Sequence, residues 1–422
     1  MTLEKISLQH YLILSPKCQM KTRNALPSSS LLCPFAWDLS PFLKKLLSSF
    51  SNSPLFSAME HLIITIPQNH PTTDWSGLLP DILAEIAMHL QSAEDFMAFR
   101  GVCTSWRKSA PSKDHFFNSR PTIPLLMLGE RYGTNTDDER QFNSLTKRKV
   151  VMRLFLPEAK GKVCLGARFG WLLTVDRDSG EITLLNPFSR ATIPLPSPVY
   201  KHLSRPRSAF ITKAVLSANP FHTSDFDLAV IHSGASFLGV WRSTGSEWTS
   251  IECDHGTSNT FLDVIFHNGK LYGIDTKSQV WVWNDLTSNS NVKVYHAPST
   301  TEDGLSWRQN AYLVGSSSGK LLVVKHEYFH WEWVGVIELD GARLCQRKKI
   351  TSLGDDAIFV GCIGSGMSIE VSGFPDVIKS DEIKSNYIYF ANPRGIQKVS
   401  LEAKIKGFES FRCQGPLVWI TF

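Results

Sequence analysis

Three stretches of the 422-residue chain carry residue types that could do chemistry. Gly315-Ser-Ser317-Ser-Gly319 has the spacing of a nucleophile elbow, in which a sharp turn lifts a serine between a strand and a helix. Here Lys320-Leu-Leu-Val-Val-Lys325 follows and reads as a strand, so a hairpin turn is expected instead. Gly361-Cys-Ile-Gly-Ser-Gly366 has the glycines of a phosphate loop, but not the G-x-G-x-x-G spacing, and no helical pattern follows it. Asp355-Asp356 pairs two carboxylates, which suits metal binding or acid–base work. The pair follows Leu353-Gly354, where aspartate more commonly serves a turn. The 13 histidines show no H-x-x-x-H helical pair, and the eight cysteines are scattered without C-x-x-C or zinc-ligand spacing. Buried free thiols in a reducing compartment are expected. No catalytic residue, metal or cofactor is expected, and the chain reads as a non-enzyme.

Recognition chemistry is better represented. Twelve Trp and 25 Phe are more than a helical bundle needs, and they suit aromatic-rich strands. Trp281 and Trp283 fall on one face of a strand by the period of two, as do Trp331 and Trp333. Most of these tryptophans are expected to pack between sheets. Within His330-Trp331-Glu332-Trp333, the residues Trp331 and Trp333 are the candidates for a target-binding surface, where Trp tends to dominate binding energy.

The elements that must position such a surface begin near Asp74. Leu79, Ile82, Leu83, Ile86 and Leu90 recur as one apolar stripe of a helix. Pro80 fits its first turn, where a missing N–H costs nothing, and Asp81 and Glu85 suit its positive end. Ser92-Ala-Glu-Asp95 has the form of a capping box for a second helix carrying Phe96, Met97 and Phe99. Gly101 is a place for that helix to end, Val102, Cys103 and Trp106 form a third apolar group, and Pro111 stops the run. Three helices this short bury little surface alone, so part of their apolar surface is expected to meet another protein.

These residues resemble the F-box. Leu79-Pro80-x-Ile82-Leu83-x-x-Ile86, then Asp95-Phe96, then Phe99-Arg100-x-Val102-Cys103-x-x-Trp106-Arg107 span the whole motif at its spacing. The resemblance implies docking onto the Skp-type adaptor of a cullin ubiquitin ligase. It points to Leu79, Pro80, Ile82, Leu83, Ile86, Val102, Cys103 and Trp106, some by contact and others by holding the small core.

After a proline-punctuated connection over 112–124, the texture changes to short apolar runs broken by Gly, Asn, Asp and Ser. Arg168-Phe-Gly-Trp-Leu-Leu-Thr-Val-Asp176, His267-Asn-Gly-Lys-Leu-Tyr-Gly-Ile-Asp275 and Ser316-Ser-Ser-Gly-Lys-Leu-Leu-Val-Val-Lys325 each lead through a turn to another strand. Asp355 to Gly361 and Asn386 to Phe390 are expected to open the last two units. Degenerate units of roughly 40–50 residues, each a Gly-marked turn and hairpins, point to a β-propeller of about six blades over 125–422. A large β-sandwich stays open. Val163-Cys-Leu-Gly-Ala-Arg-Phe-Gly-Trp, Leu184-Leu-Asn-Pro-Phe188, Ser352-Leu-Gly-Asp-Asp-Ala-Ile-Phe-Val-Gly361 and Ser385-Asn-Tyr-Ile-Tyr-Phe390 resemble plant F-box proteins with a KIB-type, kelch-like propeller. That resemblance implies a substrate receptor.

Residues 1–73 differ from the rest, being Ser-rich and acid-poor with scattered lysines. Such a leader reads either as disordered or as transit-like, and Met59 offers an alternative start. The expected organisation is therefore multi-domain: a largely disordered leader over 1–73, a three-helix, all-α F-box over 74–111, a linker and an all-β propeller. A net charge of +5, with only the triplets Lys147-Arg148-Lys149 and Arg347-Lys348-Lys349, excludes a strong nucleic-acid signature. No apolar run approaches the ~18 residues of a membrane span, so no membrane partner is expected.

The reading is a substrate-recognition subunit of a Skp–cullin–F-box ligase in nucleus or cytoplasm, with an organelle left open by the leader. Its partners would be a Skp-family adaptor, a cullin through it, and an unidentified substrate protein. One alternative is a ligase-independent protein whose propeller sequesters or inhibits a partner such as a kinase. Another is an enzyme with its site in the propeller channel.

Overall fold

The computed structural model describes residues 78–90, 93–112, 115–116, 123–128, 138–145, 149–196, 211–232, 237–252, 260–284, 292–295, 309–327, 334–339, 347–361, 366–372, 383–392, 395–401, 406–410 and 417–420. The leader expected over 1–73 lies outside them, as do Ser92, Trp331 and Trp333. The chain divides into two units, Met1–Arg120 and Pro121–Phe422.

Among the described residues the first unit includes the helices α1 (Pro80–His89), α2 (Ala93–Gly101) and α3 (Thr104–Ser109). Pro80 occupies the first turn of α1 and Asp81 faces its positive end. The Leu83 N–H bonds the carbonyl of Leu79, so Leu79 opens the helix. Leu83, Ile86, Phe96, Phe99, Trp106 and Phe116 are buried. The Phe99 and Trp106 rings meet at 4.6 Å, and Phe96 stacks on Phe116 at 3.8 Å. Arg100 and Arg107 hold the helix ends together through carbonyls: Arg100 donates to Pro111 (2.9 Å) and Arg107 to Arg100 (3.1 Å).

The second unit is a β-propeller of six sheets. Blade 1 contains β1 (Leu125–Leu128), β2 (Glu139–Ser144) and β3 (Lys149–Phe155). Blade 2 is β4 (Lys162–Arg168), β5 (Trp171–Asp176), β6 (Ile182–Leu185) and β7 (Thr192–Pro194). Blade 3 is β8 (Lys213–Leu216), β9 (Asp227–His232), β10 (Phe237–Arg242) and β11 (Trp248–Glu252). Blade 4 is β12 (Phe261–His267), β13 (Lys270–Asp275), β14 (Val280–Trp283) and β15 (Val292–Tyr295). Blade 5 is β16 (Gln309–Gly315), β17 (Leu321–Glu327), β18 (Val334–Leu339) and β19 (Arg347–Ile350).

Blade 6 departs from this meander. It comprises β20 (Asp356–Gly361), β21 (Met367–Glu370), β22 (Tyr387–Asn392), β23 (Gly395–Ser400) and β24 (Lys406–Ser410) in the order β21-β20-β22-β23-β24. β20 and β22 run parallel, with Ile358 opposite Ile388. The stretches from Asp355 and from Asn386, expected to open separate units, therefore share one sheet. The ring closes through β25 (Val418–Ile420), which pairs with β1 and completes blade 1, setting Leu125 opposite Ile420.

Each blade buries its apolar residues against the next, so the cores lie between sheets. Trp171, Leu173 and Leu184 of blade 2 pack with Leu216, Leu228 and Trp241 of blade 3. Phe359 and Tyr389 of blade 6 pack with Leu126 and Trp419 of blade 1, sealing the ring. Trp281 and Trp283 share a face and stack at 6.1 Å, with Trp283 in the core between blades 3 and 4. The turn chemistry is legible too. Asn268 and Gly269 both have positive φ (46° and 72°), the conformation an Asn-Gly hairpin turn provides at low cost. Gly315 to Gly319 is the hairpin between β16 and β17, closed by bonds between Ser316 and Lys320. Asp356 begins β20 and accepts the Ser317 N–H at 3.0 Å.

Candidate functional sites

On the helical unit the apolar stripe splits into two sets. Leu83, Ile86 and Trp106 are at most 1% exposed and form the interior. Leu79 is 59% exposed, Pro80 is exposed, and Ile82, Val102 and Cys103 are half-buried. The division follows from geometry. Positions 79 and 80 lie at the N-terminal end of α1, and Val102 and Cys103 lie in the break between α2 and α3. These five residues leave apolar surface outside the buried interior of the unit.

On the propeller, the turns of blades 2 and 4 and the strand ends of blade 3 surround a cleft of about 490 Å³. Arg168, Asp227, Arg242, His267, Trp283 and Asn284 are among its walls. The Arg168-Phe169-Gly170 turn has three consecutive positive φ values (84°, 51° and 75°), strained for the two non-glycine residues. The turn carries the Arg168 guanidinium to the Phe266 carbonyl at 2.9 Å and over the Phe169 ring at 5.2 Å. Burial lowers the Arg168 pKa. Burial also lowers that of His267, whose Nε2 lies 3.0 Å from the Gly319 carbonyl oxygen. Arg242 is neutralised by Asp227 at 3.1 Å.

A second polar group lies among the inner strands. The Lys213 Nζ on β8 reaches Asp263 Oδ1 on β12 at 3.4 Å and the Gly361 carbonyl on β20 at 3.2 Å. It also sits 5.1 Å from the centre of the Tyr312 ring. Asp263 is fully buried and accepts backbone N–H bonds from Val264 (2.9 Å) and Leu313 (2.8 Å). Burial raises its pKa, against the opposing pull of Lys213 and those two N–H groups. One ion pair thus joins blades 3, 4, 5 and 6 at their inner strands.

Residues 142–408, well over half of the chain, match the family described as KIB1-4 beta-propeller. The chain belongs to that family, and with its relatives it is a plant F-box protein with a KIB-type propeller. The F-box protein SKIP23 of Arabidopsis thaliana is 27% identical over 237 residues, covering 50% of this chain and 55% of that protein. The F-box/kelch-repeat protein At1g57790 of the same plant is 26% identical over 295 residues, 68% of this chain and 76% of that one. A second kelch-repeat relative from Arabidopsis, At3g18720, is 28% identical over 228 residues, 52% of this chain and 56% of that one. The chain spans a little over half the length of the first curated relatives it matches.

For this KIB-type propeller, the eight F-box residues read from the sequence fall on one three-helix unit, as interior and surface subsets. Trp331 and Trp333 lie outside the described residues. The cleft was not anticipated. Its signal is a bulky Arg-Phe pair placed before a turn glycine, where a smaller residue would relieve the backbone. Lys213 and Asp263 were also missed. Each is a lone charge inside an apolar strand, Ile211-Thr-Lys-Ala-Val-Leu216 and Phe261-Leu-Asp-Val-Ile-Phe266.

Proposed function

We propose that this chain is the substrate-recognition subunit of a Skp–cullin–F-box ubiquitin ligase, with the helical unit docking a Skp-type adaptor and the propeller holding the target. The observation that carries the reading is the exposure of Leu79 and Pro80 beside half-buried Ile82, Val102 and Cys103. A small unit that leaves such residues uncovered gains by burying them against a partner, at about 25 cal/mol per Å² of apolar surface. The names of the Arabidopsis relatives as F-box proteins support it. In this reading Leu83, Ile86 and Trp106 shape the docking surface from below, while Leu79, Pro80, Ile82, Val102 and Cys103 touch the adaptor. The chain performs no bond-making step itself. It raises the effective concentration of a target lysine near the transfer machinery, which converts an encounter into an intramolecular event.

The test is a Leu79→Ala, Pro80→Ala double variant of the tagged full chain, expressed in plant cells and purified with and without cullin activation blocked. Exposed side chains contribute little to folding, so the variant should melt with the wild type, within about 0.5 kcal/mol per site. Adaptor and cullin should vanish from the purified material. Their retention by the folded double variant would refute the docking assignment.

A further inference from the structure

The cleft between the turns of blades 2 and 4 and the strand ends of blade 3 holds a guanidinium with spare N–H groups and an indole N–H without an acceptor. Arg168 gives one N–H to the Phe266 carbonyl, and the carboxylate among the cleft walls, Asp227, pairs with Arg242 and not with Arg168. Trp283 is 1% exposed and lines the same cleft, and its indole N–H has no acceptor among the described residues. Orphaned buried donors cost free energy, and a largely buried guanidinium without a counter-ion costs more than a neutral one. The cost at Arg168 is met when an anion enters the cleft.

Charge decides which anion. Arg242 is already neutralised by Asp227, and burial disfavours the charged form of His267, whose ring lies against a carbonyl. The cleft therefore offers one net positive charge, which a monoanion balances and a dianion such as phosphate exceeds. A guanidinium fork matches a carboxylate with two parallel bonds. An aromatic neighbour adjoins it. Arg168 pairs with Trp171 across the hairpin, and Trp171 packs at 4.9 Å on Phe221, a residue 38% exposed. Phe221, backed by the buried Trp171, thus offers an exposed apolar face next to the cleft wall.

We propose that this cleft binds a peptide carboxylate of the target protein, with Arg168 as the anchor and the exposed Phe221 taking an apolar side chain beside it. The proposal rests on the substrate-receptor reading and adds to it the chemical class of the recognised segment. The carboxylate can come from an aspartate or glutamate side chain or from a free C-terminus, and the experiment separates the two.

The probe is a synthetic library of degenerate peptides whose central residue is Glu, Gln or phosphoserine, each with a free or an amidated C-terminus. Enrichment on the immobilised full chain is read by mass spectrometry for wild type, Arg168→Gln and Asn284→Glu. The second variant adds a negative charge at an exposed rim position, so it tests the cleft without disturbing the strained turn. Wild type should enrich Glu-centred or free-carboxylate peptides about ten-fold over the Gln, amidated set, and both variants should lose that preference. Enrichment confined to the central Glu assigns a side-chain carboxylate, and enrichment confined to the free end assigns a C-terminus. Equal recovery of Glu and Gln peptides, a preference for phosphoserine, or an unchanged preference in a folded Asn284→Glu variant would each overturn the proposal. Adaptor capture is measured on the same preparations. An intact adaptor signal without carboxylate preference overturns this inference alone, whereas loss of the adaptor in wild type bears on the receptor reading.

Discussion

Replacing Lys213 by methionine should destabilise the propeller far more than the loss of one side chain suggests. Methionine fills much of the volume of the lysine stem, so packing changes little. What remains is the Asp263 carboxylate, fully buried, with two backbone N–H bonds and no cation within 4 Å among the described residues. Removing one partner of a buried pair costs about 3–5 kcal/mol. For a domain of this size that corresponds to a fall in melting temperature on the order of 10 °C. The assay is thermal and urea unfolding of the full chain, followed by tryptophan fluorescence. Its pH dependence carries a second test. Burial already raises the Asp263 pKa in the folded state, and loss of Lys213 should raise it further. A raised folded-state pKa means that the native protein binds the proton more tightly. The penalty is therefore small below the unfolded carboxylate pKa of about 3.9 and grows as pH rises through the folded value. Adding Asp263→Asn should recover part of the loss at neutral pH, since the amide oxygen can still accept the Leu313 N–H. A single variant within 1 kcal/mol of wild type at pH 7, or equally damaged at pH 4 and pH 7, would refute the idea that this pair pins the inner strands.

His232 stacks on Phe237 at 5.6 Å, and burial lowers its pKa from 6.5 to about 4. Between those values the unfolded chain takes a proton that the native one refuses, so stability is full above pH 6.5 and falls towards pH 4. The loss is on the order of 3 kcal/mol, and His232→Phe should flatten it in acid unfolding curves. Gly366→Ala would place a Cβ 2.7 Å from Val314 Cγ2 and 3.0 Å from the Leu313 carbonyl oxygen. It should cost about 1–3 kcal/mol in urea unfolding. Gly101→Ala, with nothing within 4 Å, should be neutral or stabilising by up to ~1 kcal/mol. Trp106→Ala removes the largest buried side chain of the helical unit and should cost about 3–5 kcal/mol there, abolishing adaptor capture through unfolding. Circular dichroism and limited proteolysis would separate that result from the folded Leu79→Ala, Pro80→Ala variant.

Local chemistry made much of this fold legible before any coordinates. The period of Leu79 to Leu90, the proline at position 80 and the glycine at 101 set the first two helices, because helix ends answer to nearby residues. Asn268-Gly269 and the run from Ser316 to Gly319 announced hairpins for the same reason. What resisted reading depends on partners distant in sequence. The parallel pairing of β20 with β22 leaves no turn signal, since parallel neighbours need a crossover instead of a hairpin. Lys213 and Asp263 are fifty residues apart, and nothing near either residue names the other. The cleft assembles from three blades and is visible only when the ring is formed.

The pairing of β25 with β1 has a consequence for synthesis. At ~5–20 residues per second, a ribosome delivers β25 roughly 15–60 s after β1. Throughout that interval the open edge of β1 lacks its partner strand, and the inter-blade surface around Leu126 lacks the cover of Trp419. Blades 2 to 5 have all their strands by then, so they can settle early while the first and sixth wait. During synthesis the propeller is thus an open arc, with an unpaired strand edge exposed to wrong pairing until the last strand arrives.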